Sequence, residues 1–184
     1  MRYTIYDIRN TAVYRKETGM KTLWAPWRME YILNSTKEKG CIFCPNGKET
    51  PADRLLLFEG NLSLVIMNKY PYINGHLLVA PLKHAASLNQ LDSKEKIALM
   101  NMVDHSMTIL KKTMNPEGFN VGLNLGKVAG AGIEDHLHFH IVPRWNGDTN
   151  FMTVFGDLRV IPEHMEQTYQ RLLPLFDEVK EDPF

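Results

Sequence analysis

The sequence predicts an α+β fold: a five-stranded, mainly antiparallel sheet with two main helices. Three observations carry that expectation. Short apolar runs lie next to one another across tight turn signals, the pattern of hairpins rather than of strand–helix–strand crossovers. One long stretch opening at Asp92 places apolar residues at helical spacing, and a second such stretch closes the chain.

In chain order, residues 1–19 are polar and aperiodic and are expected to form a flexible N-terminal arm. A second methionine, Met20, precedes L-W-A-P-W-R-M-E-Y-I, where Pro26 at a first-turn position, then Met29, Tyr31 and Ile32, predicts a short helix. Residues 54–59 and 62–68 form a hairpin pair around Gly60-Asn61. Residues 75–81, G-H-L-L-V-A-P, make a third strand stopped by Pro81. Asp92 opens the long helix, with Glu95 three residues on as a capping-box partner. Ile97, Leu99, Met100, Val103, Met107, Leu110 and Met114 supply its apolar stripe, which is expected to be core packing. Asn115-Pro116-Glu117-Gly118 is a turn. Residues 119–125 and 136–142 give two more strands, joined by the glycine-rich loop G-K-V-A-G-A-G. A final helix starts near Pro162, with Met165, Tyr169, Leu172, Leu173 and Phe176 on one face. The expected organisation is an arm over 1–19, a main domain over 20–155 and a C-terminal helical extension over 156–184.

With 21 basic and 21 acidic residues in 184, and a pI near 7.1, the chain has no broad electrostatic grip for nucleic acid or anionic lipid. An anionic ligand must therefore be recognised locally. No apolar run approaches the ~20 residues of a membrane helix, and the N-terminus lacks the apolar core of a secretory signal. A cytoplasmic protein is the expectation.

The densest chemical signal is H-L-H-F-H-I-V-P-R-W at 136–145. Strand side chains alternate faces, so His136, His138 and His140 share one face while Leu137, Phe139 and Ile141 point into the core. Two chemistries suit three such rings. They can hold a catalytic zinc, or one can act as a nucleophile toward phosphorus, kept neutral and oriented by a hydrogen bond from its Nδ1–H to a backbone carbonyl. The outer pair is too far apart for an easy shared tetrahedral metal, so spacing favours the nucleophile. The two cysteines, Cys41 and Cys44, are spaced C-x-x-C. That spacing fits a redox pair or half a metal site better than a structural disulfide.

H-L-H-F-H-I-V resembles the signature of the histidine triad (HIT) superfamily, and the resemblance extends over roughly residues 21–155. N-K-Y-P-Y-I-N-G-H-L-L-V-A-P-L-K-H (68–84) and N-L-G-K-V-A-G-A-G-I-E-D-H (124–136) resemble family segments, and the run 122–151 is similar to the branch of fragile-histidine-triad hydrolases and bacterial diadenosine tetraphosphate phosphorylases. The resemblance implies that His138 attacks the α-phosphorus of a nucleotide and forms a nucleotidyl-histidine. It implies that His140 binds the phosphoryl oxygens, that His76 lines the same pocket, that Asn68 reaches the ribose or phosphate, and that Asn124 lies on the leaving-group side. The loop 126–132 lacks the G-K-[ST] of a P-loop, but its backbone, at Gly130 and Gly132 for instance, can present N–H groups to phosphate. Relatives with a C-x-x-C complete a structural Zn2+ site with two histidines, here His84 and His136, which would leave His138 and His140 for chemistry. No organic cofactor is implied. Family members pair as homodimers through the long helix and an adjacent strand. Trp145 and Phe151 could stack on a base, although an aromatic just after a strand is more often simple packing. The implied activity is cleavage of dinucleoside polyphosphates by hydrolysis or phosphorolysis. The alternative is a nucleotide-binding regulatory protein with slow turnover.

Overall fold

The computed structural model describes residues 40–148 except 46 and 48, residues 163–179 and 181–182, and the backbone of four two-residue strands nearer the N-terminus. The chain divides into two compact units, one of 1–39 with 151–158 and one of 40–150 with 159–184. In the first, β1 (Asp7–Ile8) pairs antiparallel with β2 (Thr11–Ala12), and β3 (Tyr14–Arg15) with β4 (Lys21–Thr22). Most of the expected arm, the short helix after Pro26, Phe151 and Pro162 lie outside the described residues.

The second unit is built on a five-stranded, wholly antiparallel sheet. Its strands are β5 (Leu56–Glu59), β6 (Ser63–Met67), β7 (Leu77–Pro81), β8 (Gly118–Leu123) and β9 (Phe139–Arg144), in the order β5-β6-β7-β9-β8. The strands fall where the apolar runs place them, with ends moved by up to three residues. β9 begins at Phe139 rather than His136, so His136 and His138 lie in the segment just before the strand. Every residue of β6 and β7 is buried, because both faces of the sheet centre are covered.

One face carries α1 (Ser93–Met114) and α2 (Met165–Asp177). Asp92 Oδ1 accepts the Glu95 N–H at 2.8 Å and Glu95 Oε2 accepts the Asp92 N–H at 2.7 Å, the reciprocal cap that starts α1. Asn115, at φ +47°, ends it. The buried face of α1 is Ala98, Leu99, Met102, Val103, Ser106, Ile109 and Leu110, whereas Ile97 and Met100 are half exposed. The stripe expected from spacing is thus right at Leu99, Val103 and Leu110 and wrong at Ile97 and Met100. The helix is apolar over a wide arc, and only its neighbours fix which part turns inward. Tyr169, Leu172 and Phe176 of α2 join the same core as Val65, Leu77, Val79 and Ile141. Asp182 accepts from the Asn61 and Leu62 N–H groups, at 2.7 and 2.9 Å, and from the Ser63 hydroxyl, tying the chain end to the β5–β6 turn. No described helix is long and apolar enough to cross a membrane.

The opposite face has a smaller core of Leu64, Ile66, Leu78, Ala80 and Phe43. His140 pairs with Leu78 on one side and Gly122 on the other, so its side chain emerges on the face opposite α1 and α2.

Candidate active site and metal centre

Alternation about the strand puts His136 and His138 on the same face as His140, but the three rings do different things. His136 is fully buried. Its Nε2–H donates to the Pro81 carbonyl at 2.8 Å, which fixes Nδ1 as a bare lone pair. That lone pair lies 3.2 Å from Cys41 Sγ and 3.6 Å from Cys44 Sγ, and His84 Nδ1 lies 3.3 Å from Cys44 Sγ. The four donor atoms all fall within 4.8 Å of one another. Two thiols and two imidazole lone pairs converging from three separate segments form a closed four-donor set of the kind that holds a metal ion tetrahedrally. Burial, with Cys41 beside it, pushes the Cys44 thiol up to about 11. A bound cation reverses that logic and deprotonates its thiol ligands outright. His136 therefore belongs with the cysteines, and the arrangement in which all three triad rings share one metal is not the one this fold builds.

His138 is likewise buried, and its Nδ1–H donates to the His136 carbonyl at 2.9 Å. The remaining nitrogen, Nε2, then carries the lone pair. Burial holds the His138 imidazole below its ordinary pKa, which keeps the ring neutral. Phe43 packs against it, with ring centroids 4.8 Å apart, and also against His136 at 5.1 Å. Phe43 sits between the two cysteines, so the turn that presents the thiols also walls His138. Arg54, nearly buried, donates from Nη2 to the Phe43 carbonyl at 3.0 Å and the Ile42 carbonyl at 3.3 Å, bracing that turn.

The third ring is set by a chain of fixed donors. A backbone N–H can only donate, and the Tyr72 N–H points at His76 Nδ1 from 3.1 Å. Asn68 Nδ2 lies 3.2 Å from the same nitrogen, while Asn68 Oδ1 accepts the Tyr70 N–H at 2.9 Å. His76 Nδ1 is thus an acceptor, and its proton resides on Nε2. That Nε2 is 3.0 Å from His140 Nδ1, which must accept in turn. The proton of His140 is left on Nε2. Burial, then the neighbouring His138, push His140 down to about 4. Tyr72 stacks nearly parallel to His140, at 11° and 5.9 Å, and covers His76 at 4.6 Å. With the His138 and His140 ring centroids 5.0 Å apart, the site offers a lone pair beside an N–H donor.

The other expected site residues are placed less directly. Asn68 stands behind His76, its amide bonded at both ends. Asn124 lies beside the glycine-rich loop, its Nδ2 within 3.9 Å of where a Cβ on Gly130 would fall. The loop turns through a short 3-10 helix, Lys127–Ala129, and the N–H groups of Ala129, Gly130 and Ala131 bond back to Gly126 and Lys127 carbonyls. Gly130, at φ +88°, therefore serves as the turn-maker, and its own N–H is engaged. Gly132 is exposed just beyond. Trp145 donates its indole N–H to the Asn115 carbonyl at 3.2 Å, packing at the far end of β9 from His138. Sequence reading passed over Phe43, Arg54 and Tyr72. An aromatic enclosed by two cysteines and the Y-P-Y before a Gly-His pair are the signals that pointed to two of them.

The HIT domain family matches residues 49–147. The chain is 37% identical over 166 residues to an AP-4-A phosphorylase of Mycobacterium tuberculosis, which spans 84% of this chain and 83% of that one. It is 28% identical to a bis(5'-adenosyl)-triphosphatase of Dictyostelium discoideum, over 70% of this chain and 90% of that one. Among solved structures, a hypothetical histidine triad nucleotide-binding protein of Sulfolobus tokodaii is similar at 27% identity and a TM-score of 0.59, covering 76% of this chain and 94% of its own.

Proposed function

The chain belongs to the HIT domain family, and on that premise we propose that it cleaves dinucleoside polyphosphates, of the diadenosine tetraphosphate or triphosphate type, through a nucleotidyl-histidine on His138. The observation that carries this reading is the proton arrangement. His138 Nδ1–H is held by the His136 carbonyl, and His140 Nδ1 is held by His76, so one imidazole aims a lone pair and its neighbour aims an N–H at the same open face. Histidine attacks phosphorus only as the neutral ring with a bare nitrogen.

In the first step the His138 Nε2 lone pair forms a bond to the α-phosphorus, and the bond from that phosphorus to the bridging oxygen breaks. The electron pair leaves with the departing nucleoside polyphosphate. His140 Nε2–H stabilises the charge that builds on the non-bridging oxygens. In the second step an oxygen of water or of inorganic phosphate attacks the same phosphorus, the P–N bond breaks and the electron pair returns to Nε2. Water, after losing its proton to solvent, gives AMP; phosphate gives ADP. Asn68 supports His76, and Asn124 with the loop carrying Gly130 and Gly132 borders the leaving-group side.

The donor set Cys41, Cys44, His84 and His136 fits Zn2+, in thiolate and imidazole content and in convergence. Such an ion has a structural role here, bracing the strand approach that carries His138. The half-exposed Ile97 and Met100 of α1 and Val121 of the edge strand β8 support a homodimer built through these two elements. A cytoplasmic location suits two reduced cysteines held for a metal.

The test is to incubate the protein with diadenosine tetraphosphate labelled at the α-phosphate, quench by denaturation and locate the label by mass spectrometry. Label on His138, absent from His138→Asn although that variant still binds nucleotide, is expected. Steady turnover with no adduct on that side chain overturns the reading. Product identity with and without phosphate separates phosphorolysis from hydrolysis.

A further inference from the structure

The relay Tyr72 N–H to His76 to His140 works only while the loop 68–76 holds its shape. Its ends are closed by Asn68 N–H to the His76 carbonyl at 3.0 Å and His76 N–H to the Ile73 carbonyl at 3.3 Å. Between them stands Asn74, a carboxamide only 5% exposed and directed away from the catalytic face. It meets the C-terminal segment. Asn74 Oδ1 lies 3.0 Å from the hydroxyl of Thr168, a fully buried residue of α2, and Asn74 Nδ2 donates to Glu163 Oε2 at 3.3 Å. The same Glu163 oxygen lies 2.7 Å from the Thr168 hydroxyl and accepts from Arg171 Nη2 at 2.6 Å. These hydrogen bonds, Thr168 first, hold the Glu163 carboxyl below the usual carboxylate range. On the other side Gly75, at φ +77°, is backed by Met114 of α1, whose Sδ would stand 2.6 Å from any added Cβ. The turn before His76 is thus caught between two helices, one by shape and the other by polar bonds.

We infer that Asn74, Thr168 and Glu163 form a clamp through which the C-terminal helix positions His76, and through it the donor tautomer of His140. None of the three touches the reacting face, so they are positioning residues. The inference rests on the proposed reading of His138 and His140. Its chemistry is that a backbone N–H aimed at one imidazole nitrogen decides where the proton sits on the next ring. If the loop slides by about 1 Å, the Tyr72 N–H no longer faces His76 Nδ1, and displacements of that size cost up to about a hundredfold in rate.

The experiment compares Asn74→Ala, Thr168→Val and Thr168→Ser, by kinetics with diadenosine tetraphosphate and by nitrogen NMR of the histidine rings. In the wild type, His76 and His140 are expected as Nε2–H tautomers and His138 as Nδ1–H. Asn74→Ala and Thr168→Val should lower kcat by about tenfold or more, leave KM within about twofold, and reduce the Nε2–H share of His76. Thr168→Ser, which keeps the hydroxyl, should restore both. In a His76→Gln background, adding Asn74→Ala should bring no further loss, since the clamp acts through that ring. Wild-type kcat and tautomers in the folded Asn74→Ala and Thr168→Val variants overturn the clamp, as does an equal loss repeated in the His76→Gln background. Should the wild type form no His138 adduct, the underlying reading has failed and takes the clamp with it. An adduct in the wild type with unmoved variants defeats the clamp alone.

Discussion

Gly122 offers a perturbation in which stability and function should move in opposite directions. It lies directly across from His140 in the β8–β9 ladder, and a Cβ built on it meets no atom within 4 Å. A side chain there enters open space, not the core. Directly opposed residues hold their Cβ atoms about 4.5–5.5 Å apart, and a leucine extends about 2.5 Å beyond its Cβ along two C–C bonds. Its methyls would therefore cover the His140 ring on the side where the proposed mechanism brings in the substrate. A strand glycine costs roughly 0.5–1 kcal/mol relative to alanine. For a chain of this size each kcal/mol moves Tm by about 2–4 °C, so Gly122→Ala should raise Tm by about 1–4 °C. Over the series Ala, Val and Leu, kcat/KM for diadenosine tetraphosphate should fall with side-chain size. The leucine variant should lose at least about tenfold, or ~1.4 kcal/mol of transition-state binding. Differential scanning calorimetry and initial-rate kinetics on the same preparations measure both effects. A folded leucine variant with wild-type kcat/KM would show that substrate does not use this face. A lowered Tm for the alanine variant would show that the space beside His140 is filled.

Three further outcomes are expected. Cobalt titrated into the reduced protein should give a thiolate-to-metal charge-transfer band at one ion per chain, lost in Cys41→Ser. With the metal at about a hundred times its Kd, linkage adds about 2.7 kcal/mol, so its removal by a chelator should lower Tm by roughly 5–10 °C. Asp182→Ala orphans two backbone N–H groups and the Ser63 hydroxyl. It should cost about 2–4 kcal/mol in urea unfolding, and a loss below about 1 kcal/mol would show that the chain end does not lock the β5–β6 turn. Finally, His140 is pushed down to about 4 in the fold from an ordinary 6.5. Between those values the unfolded chain binds more protons than the folded one, so this residue makes stability fall as pH drops from about 6.5 toward 4 and contributes nothing to the slope above it. The change in urea midpoint between pH 7 and pH 5 should shrink in His140→Gln, and an unchanged slope would count against the buried neutral ring.

Much of the site was legible because strand periodicity is a local property. The alternation in H-L-H-F-H predicts three imidazoles on one face from local spacing, and the Asp92–Glu95 capping box and the Asn115 stop needed only a few neighbouring residues. The phase of α1 was less legible. Ile97 and Met100 fit an apolar stripe as well as Met102 and Ile109 do, and only the position of the sheet and α2 selects the second pair for burial. In the glycine-rich loop, composition allowed either an anion nest or a plain connector, and only the fold shows that three of its N–H groups turn back on the loop, because the positive φ at Gly126 and Gly130 closes a 3-10 turn.

Residue types and their spacing alone determined the antiparallel α+β fold, a histidine-bearing strand and a C-x-x-C able to contribute two thiolates. Chemically equivalent rings become distinct only when remote partners reach them. Cys41 arrives from 95 residues away to claim His136, and His76 from 64 residues away to hand His140 its donor role. Where a proton sits on an imidazole depends on which fixed donor or acceptor faces each nitrogen. That pairing is a property of the packed sheet and its loops, so tertiary structure decided it.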